Sequence, residues 1–307
     1  MHCGFEGMAA VLPERSATVD EVMAQAGLAG DAAMRSAILN NGLRQVRLWD
    51  GSTASILRPA LSRLAEQVEG LVERVHLVIY GHSLTVGASE LTEAMDACGL
   101  AHVPRFTLGG QPCAILHQAV KLAAEWAADL PTGQGVVVVG GDRPETANER
   151  VFFNSVMGDG AFAAFVAKGG DAHRLLASAV HTELIAAHGE RSGDDAIARF
   201  RAANPLLIRR CRETCLVRAG VSGFDLVAHI FPHTPNTKIW DLVAETARVP
   251  RERIHSDAVA ETGHLNSNDS FIHYARACQA GLVAPGELSL LVNPGFGGTQ
   301  GCTLLRR

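Results

Sequence analysis

Lysine is scarce in this chain. It occurs only at Lys121, Lys168 and Lys238, so nearly all of the 27 basic residues are arginine, and the formal net charge is −5. No basic stripe forms, which argues against a nucleic-acid partner. No apolar run approaches the roughly 20 residues that a membrane-spanning helix needs, so no membrane partner is expected. The opening Met1-His2-Cys3-Gly4-Phe5-Glu6-Gly7 has no basic leader region and reaches charge too early for a secretory signal. No G-x-G-x-x-G follows the first strand pattern, and a dinucleotide-binding dehydrogenase is excluded on that ground. The seven cysteines are odd in number and widely scattered, which fits no disulfide framework and suggests a reducing, cytoplasmic setting.

What is present is an ordinary globular composition, with 47% apolar and 19% charged residues in 307. That length predicts two domains or two fused halves. Short β-rich runs alternate with helical patterns, the signature of α/β layering. Residues 75–80, 135–140, 226–230 and 288–292 read as buried strands, and 56–72, 114–128, 206–219, 237–246 and 270–280 as helices. Each half runs strand, turn, helix, then a Gly-rich hairpin into a last strand: Met157-Gly158-Asp159-Gly160-Ala161 in one, Gly297-Gly298-Thr299-Gln300-Gly301 in the other. This rhythm suggests a duplication, with halves at 1–170 and 171–307 and a junction within 167–205.

Cys113 stands where Thr107-Leu108-Gly109-Gly110-Gln111-Pro112 gives way to a long apolar helix. A thiol at a helix start meets unpaired N–H groups and the positive end of the dipole, which favour thiolate and mark a candidate nucleophile. His233, in Phe231-Pro232-His233-Thr234-Pro235-Asn236, follows a buried strand, where open α/β sheets hold ligands and where a proton shuttle is well placed. The loop Gly263-His264-Leu265-Asn266-Ser267-Asn268-Asp269-Ser270 crowds more polarity than a helix cap requires. Asn293-Pro294-Gly295-Phe296-Gly297-Gly298 could present backbone N–H groups as an oxyanion hole.

In this order the features resemble the ketoacyl-acyl-carrier-protein synthase III branch of the thiolase superfamily over nearly the whole chain: Cys113, then Gly158-Asp159-Gly160-Ala161, then Pro232-His233-Thr234-Pro235-Asn236, then Gly263-His264, then Gly295-Phe296-Gly297-Gly298. The resemblance implies a thiolase-like α/β fold of two similar halves stacked as five layers, α-β-α-β-α, usually a homodimer. It implies that Cys113 takes an acyl group from a thioester of coenzyme A or an acyl carrier protein, beside His233 and with no cofactor or metal. Gly297 and Gly298 would hold the oxyanion, Lys238 would dock the carrier or coenzyme phosphate, and Asn236 and Asn266 could support the site.

Counting back from Ala284-Pro285-Gly286 puts His264 where condensing members keep their Asn, although a two-residue shift would restore Asn266. Without the Asn, the loop resembles a Cys-His-Asp branch that transfers acyl groups to hydroxyl or amine acceptors. In that reading Asp269 orients His233 as the base. Decarboxylative condensation with a malonyl thioester is the alternative, and a non-catalytic partner subunit a remote one. Pro112 departs from the small residue usual before the Cys, but suits helix entry. His117, one turn past Cys113, shares its face, though such a residue is more often packed. Cys211-x₃-Cys215 with His229-x₃-His233 mimics zinc-finger spacing. A strand holds two histidines four apart at roughly 13 Å, too far to share a metal.

Overall fold

The computed structural model describes residues 2–84, 88–110, 113–152, 154–186 and 192–307. Among them, nine strands form one sheet: β1 Cys3–Val11, β2 Val75–Gly81, β3 Arg105–Leu108, β4 Gly135–Asp142, β5 Gly160–Lys168, β6 His173–Thr182, β7 Val227–Pro232, β8 Leu288–Pro294 and β9 Thr299–Arg306. Their spatial order is β7-β8-β9-β6-β1-β5-β4-β2-β3. The order is two copies of one pattern. In the first, β1 pairs antiparallel with β5, β5 antiparallel with β4, and β4 parallel with β2. In the second, β6 pairs antiparallel with β9, β9 antiparallel with β8, and β8 parallel with β7. The copies meet where Gly4 and Phe5 pair with Arg174 and His173.

The helices that position the site are α1 Thr53–Gln67, α2 Ala88–Asp96, α3 Ile115–Ala128, α4 Asp194–Ala219, α5 Lys238–Ala247 and α6 Asp269–Gln279. Helix α3 packs on β4 and β5 of one half-sheet and on β6 and β9 of the other, and α6 likewise touches β1, β5, β7 and β8. These two helices are therefore the middle layer. α1 covers the outer face of the first half-sheet, with α2 packed on it, and α4 with α5 that of the second, which completes five layers.

Side-chain alternation explains why the strands are apolar throughout. On β5, Phe162, Ala164 and Val166 enter the central core while Ala161, Ala163, Phe165 and Ala167 enter the core under α1. On β4, Val136 and Val138 face one way and Val137 and Val139 the other. A strand buried on both faces has no place for polar alternation. On β8 and β9, Leu288, Leu290, Val292, Cys302 and Leu304 join a third core beneath α4.

The stretch 167–205, where the sequence places the junction, carries β6 and the first turns of α4. Proline at 205 signals a helix starting at 206, yet α4 runs unbroken from Asp194 with Pro205 inside it. Proline there forfeits one backbone hydrogen bond. Burial of Phe200, Leu207, Ile208, Cys211 and Cys215 against the sheet outweighs that loss.

Candidate active site

The two middle helices point their N-termini at one place. Cys113 precedes α3, and Asp269 opens α6. Cys113 has φ 65°, the left-handed region that costs a non-glycine residue about 1–2 kcal/mol. Two bonds hold it there: its N–H donates to Ser83 Oγ at 3.2 Å, and its carbonyl accepts from Asn293 Nδ2 at 2.8 Å. Asn293 Nδ2 also donates to Ser267 O at 3.1 Å, tying the thiol turn to the polar loop. Gln111 and Pro112 lie outside the described residues.

His264 Nε2 lies 3.9 Å from Cys113 Sγ, and His264 Nδ1 donates to Asp269 Oδ2 at 2.7 Å. Asp269 also accepts the N–H groups of Thr234 at 2.9 Å and Leu265 at 2.7 Å. Thiol, imidazole and carboxylate are thus in line. His233 Nε2 is 4.0 Å from Asp269 Oδ2, and its ring meets that of His264 edge-on with centroids 4.5 Å apart. The expected bond from Asp269 to His233 therefore goes to His264 instead. The reason is reach: His264 sits five residues from Asp269 in a tight loop, while His233 is pinned on the strand end, its N–H on Val292 O at 2.7 Å and its carbonyl accepting Trp240 Nε1 at 2.8 Å.

Glycines place His264. The His264 N–H donates to Val156 O, and the Gly158 N–H donates to His264 O, both at 2.9 Å. A Cβ on Gly158 would stand 2.0 Å from Thr262 O. Next to it, buried Asp159 receives Arg150 at both oxygens, 2.8 Å each, and Trp49 N–H at 2.7 Å. Gly158→Ala is expected to destabilise the fold by about 3 kcal/mol or more and to displace His264, because the clash is with backbone. Urea unfolding checks the first effect; a wild-type midpoint would contradict it.

Burial, then the Asp269 and Asp142 charges, push the Cys113 thiol up, opposed by the Phe296 backbone N–H. This corrects the expectation of a standing thiolate: the helix end is outweighed by desolvation and two carboxylates. Burial would raise Asp269 as well, but His264, bonded to it, holds its carboxyl well below the usual range. Burial, followed by His264, keeps His233 neutral, far below its ordinary value.

The backbone donor at the sulfur is Phe296, whereas the Gly298 N–H is spent on Gly295 O at 3.3 Å. Gly297 and Gly298 have φ 102° and 104°, and a Cβ on Gly298 would meet Glu183 O at 1.8 Å, so their glycine is required by the turn. Asn266 directs Nδ2 at Met157 Sδ, 3.7 Å away, and His264 is the loop side chain that reaches the sulfur. Asn236 Oδ1 accepts the Ile239 N–H at 3.2 Å, a cap on α5. His117 is fully buried, with Nδ1 on Thr303 Oγ1 at 2.8 Å. Cys211 and Cys215 point their thiols at backbone carbonyls, and His229 is engaged by His255 at 2.9 Å and Glu287 at 3.0 Å, so the finger-like spacing gathers no metal ligands. Asn293 and the Phe296 amide were invisible as individuals in sequence; their only signal was the Gly-rich turn that contains them.

Cys113 and His233 open into a cleft of about 480 Å³ with apolar walls from Phe152, Phe200, Ile239, Leu242 and Phe296. Lys238 and Arg201 also line it, and Lys238 is exposed at the start of α5.

Residues 216–307 match the family model described as 3-oxoacyl-[acyl-carrier-protein (ACP)] synthase III C terminal. The C-terminal part of the chain is thus similar to ketoacyl synthase III proteins. Beta-ketoacyl-[acyl-carrier-protein] synthase III of Aquifex aeolicus (strain VF5) is 28% identical over 159 residues, 49% of this chain and 50% of that protein. The match thus spans about half the length of the curated relative. Solved structures superpose over nearly the whole chain. ChlB3, described as an acyltransferase, has TM-score 0.87 at 18% identity, covering 100% of this chain and 98% of that one. The 3-oxoacyl-[acyl-carrier-protein] synthase III of Aquifex aeolicus VF5 has TM-score 0.83 at 19% identity, covering 99% and 100%. Xanthomonas campestris OleA, solved with lauric acid and lauroyl-CoA, has TM-score 0.81 at 15% identity, covering 100% and 99%. At such identities the superpositions establish the fold. Among the described residues no helix is long and apolar enough to cross a membrane.

Proposed function

We propose that this protein is an acyltransferase that moves an acyl group from a thioester of coenzyme A or an acyl carrier protein, through acyl-Cys113, to a hydroxyl or amine acceptor. The observation that carries the reading is the bond from His264 Nδ1–H to Asp269, which leaves the Nε2 lone pair facing Cys113 Sγ. As Sγ attacks the thioester carbonyl, His264 Nε2 takes its proton, the Phe296 N–H stabilises the oxyanion, and the leaving thiol carries that proton away. The acceptor then gives its own proton to His264, attacks the acyl carbon and returns Cys113 as a thiol. A buried thiol with a raised pKa suits such concerted transfer. The apolar walls of the cleft suit an acyl chain, and Lys238 and Arg201 suit a phosphate or an acidic carrier. A soluble homodimer that needs no cofactor beyond its thioester substrate completes the proposal.

Decarboxylative condensation is favoured by one observation, a neutral His233 whose ring nitrogens make no hydrogen bond among the described residues and could donate to an enolate. The reactions separate on malonyl thioester. Simple transfer predicts acylation of Cys113 from an acyl donor with no carbon dioxide released from the malonyl compound. Release at a rate matching turnover would replace transfer by condensation.

A further inference from the structure

A different set of thiol and imidazole groups, at the candidate active site, does converge. One donor atom from each of Cys113, His233 and His264 lies within 4.8 Å of the others, and all three residues are buried. Tetrahedral zinc, with Zn–N about 2.0–2.1 Å and Zn–S about 2.3 Å, needs its ligands about 3.3–3.6 Å apart. Sγ and His264 Nε2 are already 3.9 Å apart, and drawing the widest separation in from at most 4.8 Å closes the set.

Three further observations point to a cation. His264 gives its Nδ1 proton to Asp269, which directs a lone pair from Nε2 toward the sulfur; a carboxylate behind a ligating imidazole is the usual outer support of a metal histidine. His233 is 3% exposed, and neither ring nitrogen has a hydrogen-bond partner among the described residues. Finally, Cys113 and His233 line the cleft, so a fourth position is open to water.

We infer that Cys113, His233 and His264 form a three-ligand site for a thiophilic divalent cation, with Zn²⁺ the best fit, and that an ion bound there blocks acylation of Cys113. Binding forms one Zn–S and two Zn–N bonds and releases the thiol proton to solvent. The site rests on the geometry of these side chains and not on which acyl reaction they perform.

The test uses the full chain, stripped of metal, without thioester substrate. Zn²⁺ binding is measured by isothermal titration, and the rate of Cys113 alkylation by iodoacetamide is followed by peptide mass spectrometry with and without Zn²⁺. One tight site per chain is expected, with Cys113 protected at saturation. Cys113→Ala should weaken that site at least about 100-fold and Asp269→Asn by roughly 10–100-fold, as loss of an outer carboxylate does. Cys98→Ser, remote from the site, should leave it unchanged. Unprotected Cys113 at saturating Zn²⁺, or equal affinity in Cys113→Ala, overturns the proposal. Because alkylation of the wild type reads out directly, misfolding of a variant cannot mask the result.

Discussion

Cys113→Ala is expected to abolish acyl-enzyme formation and to lower acyl transfer by roughly 10⁴-fold or more, the scale of losing a covalent nucleophile. The variant should keep its fold, since Ala fills nearly the same volume and the bonds that secure residue 113, to Ser83 and Asn293, are made by backbone. The measurement is intact-protein mass spectrometry after incubation with an acyl thioester, with urea unfolding as control. An adduct that persists in the folded variant would remove Cys113 from the mechanism. Six other cysteines are present, but Cys211, Cys215, Cys278 and Cys302 are buried, and none of the six lines the cleft.

Asp269→Asn carries the second large effect. The carboxylate accepts three donors, and an amide replaces one oxygen with a donor that must face one of them. If the amide nitrogen faces His264, the ring is driven to the tautomer with its proton on Nε2, and no base faces the sulfur. Transfer should fall by roughly 10²–10⁴. Sequence reasoning, with Asp269 behind His233, puts this loss far more on the acceptor step than on self-acylation. With His264 3.9 Å from the sulfur, both acylation and transfer should slow. Single-turnover kinetics separate the two, and unchanged rates in both half-reactions would remove the dyad as base.

The same substitution reads out in stability. A carboxyl whose folded pKa is depressed contributes stability above its unfolded value near 3.9 and loses it as pH falls through the folded one. Asp269 is such a group, so the advantage of wild type over the variant should be complete above about pH 5 and should shrink as pH falls below about 4. At neutral pH the unsatisfied donor should cost the variant about 1–3 kcal/mol. Urea midpoints across that range check the sign.

Much of the architecture was legible because it depends on local pattern. Continuous apolar runs at 135–140 and 288–292 became strands buried on both faces, and the helix after Cys113 was visible from its length and apolar content. Proline at 205 misled, since its local penalty is small beside the burial of one face of a 26-residue helix. Cys113, His233, His264 and Asp269 were all identifiable, each by residue type at an element boundary. Their pairing was not. Spacing says that His264 is five residues from Asp269, but whether an imidazole or an amide proton fills the carboxylate depends on the angles of a 3₁₀ turn and a left-handed glycine.

By itself the sequence determined the layered α/β order and the chemical kinds gathered in its loops, because hydrophobic period and glycine placement act within a few residues. Only the tertiary structure decided which histidine holds the carboxylate, that the Phe296 N–H meets the sulfur, and that burial pushes the thiol up. Those outcomes rest on distances of a few ångströms between segments more than a hundred residues apart, and on how completely water is excluded where they meet.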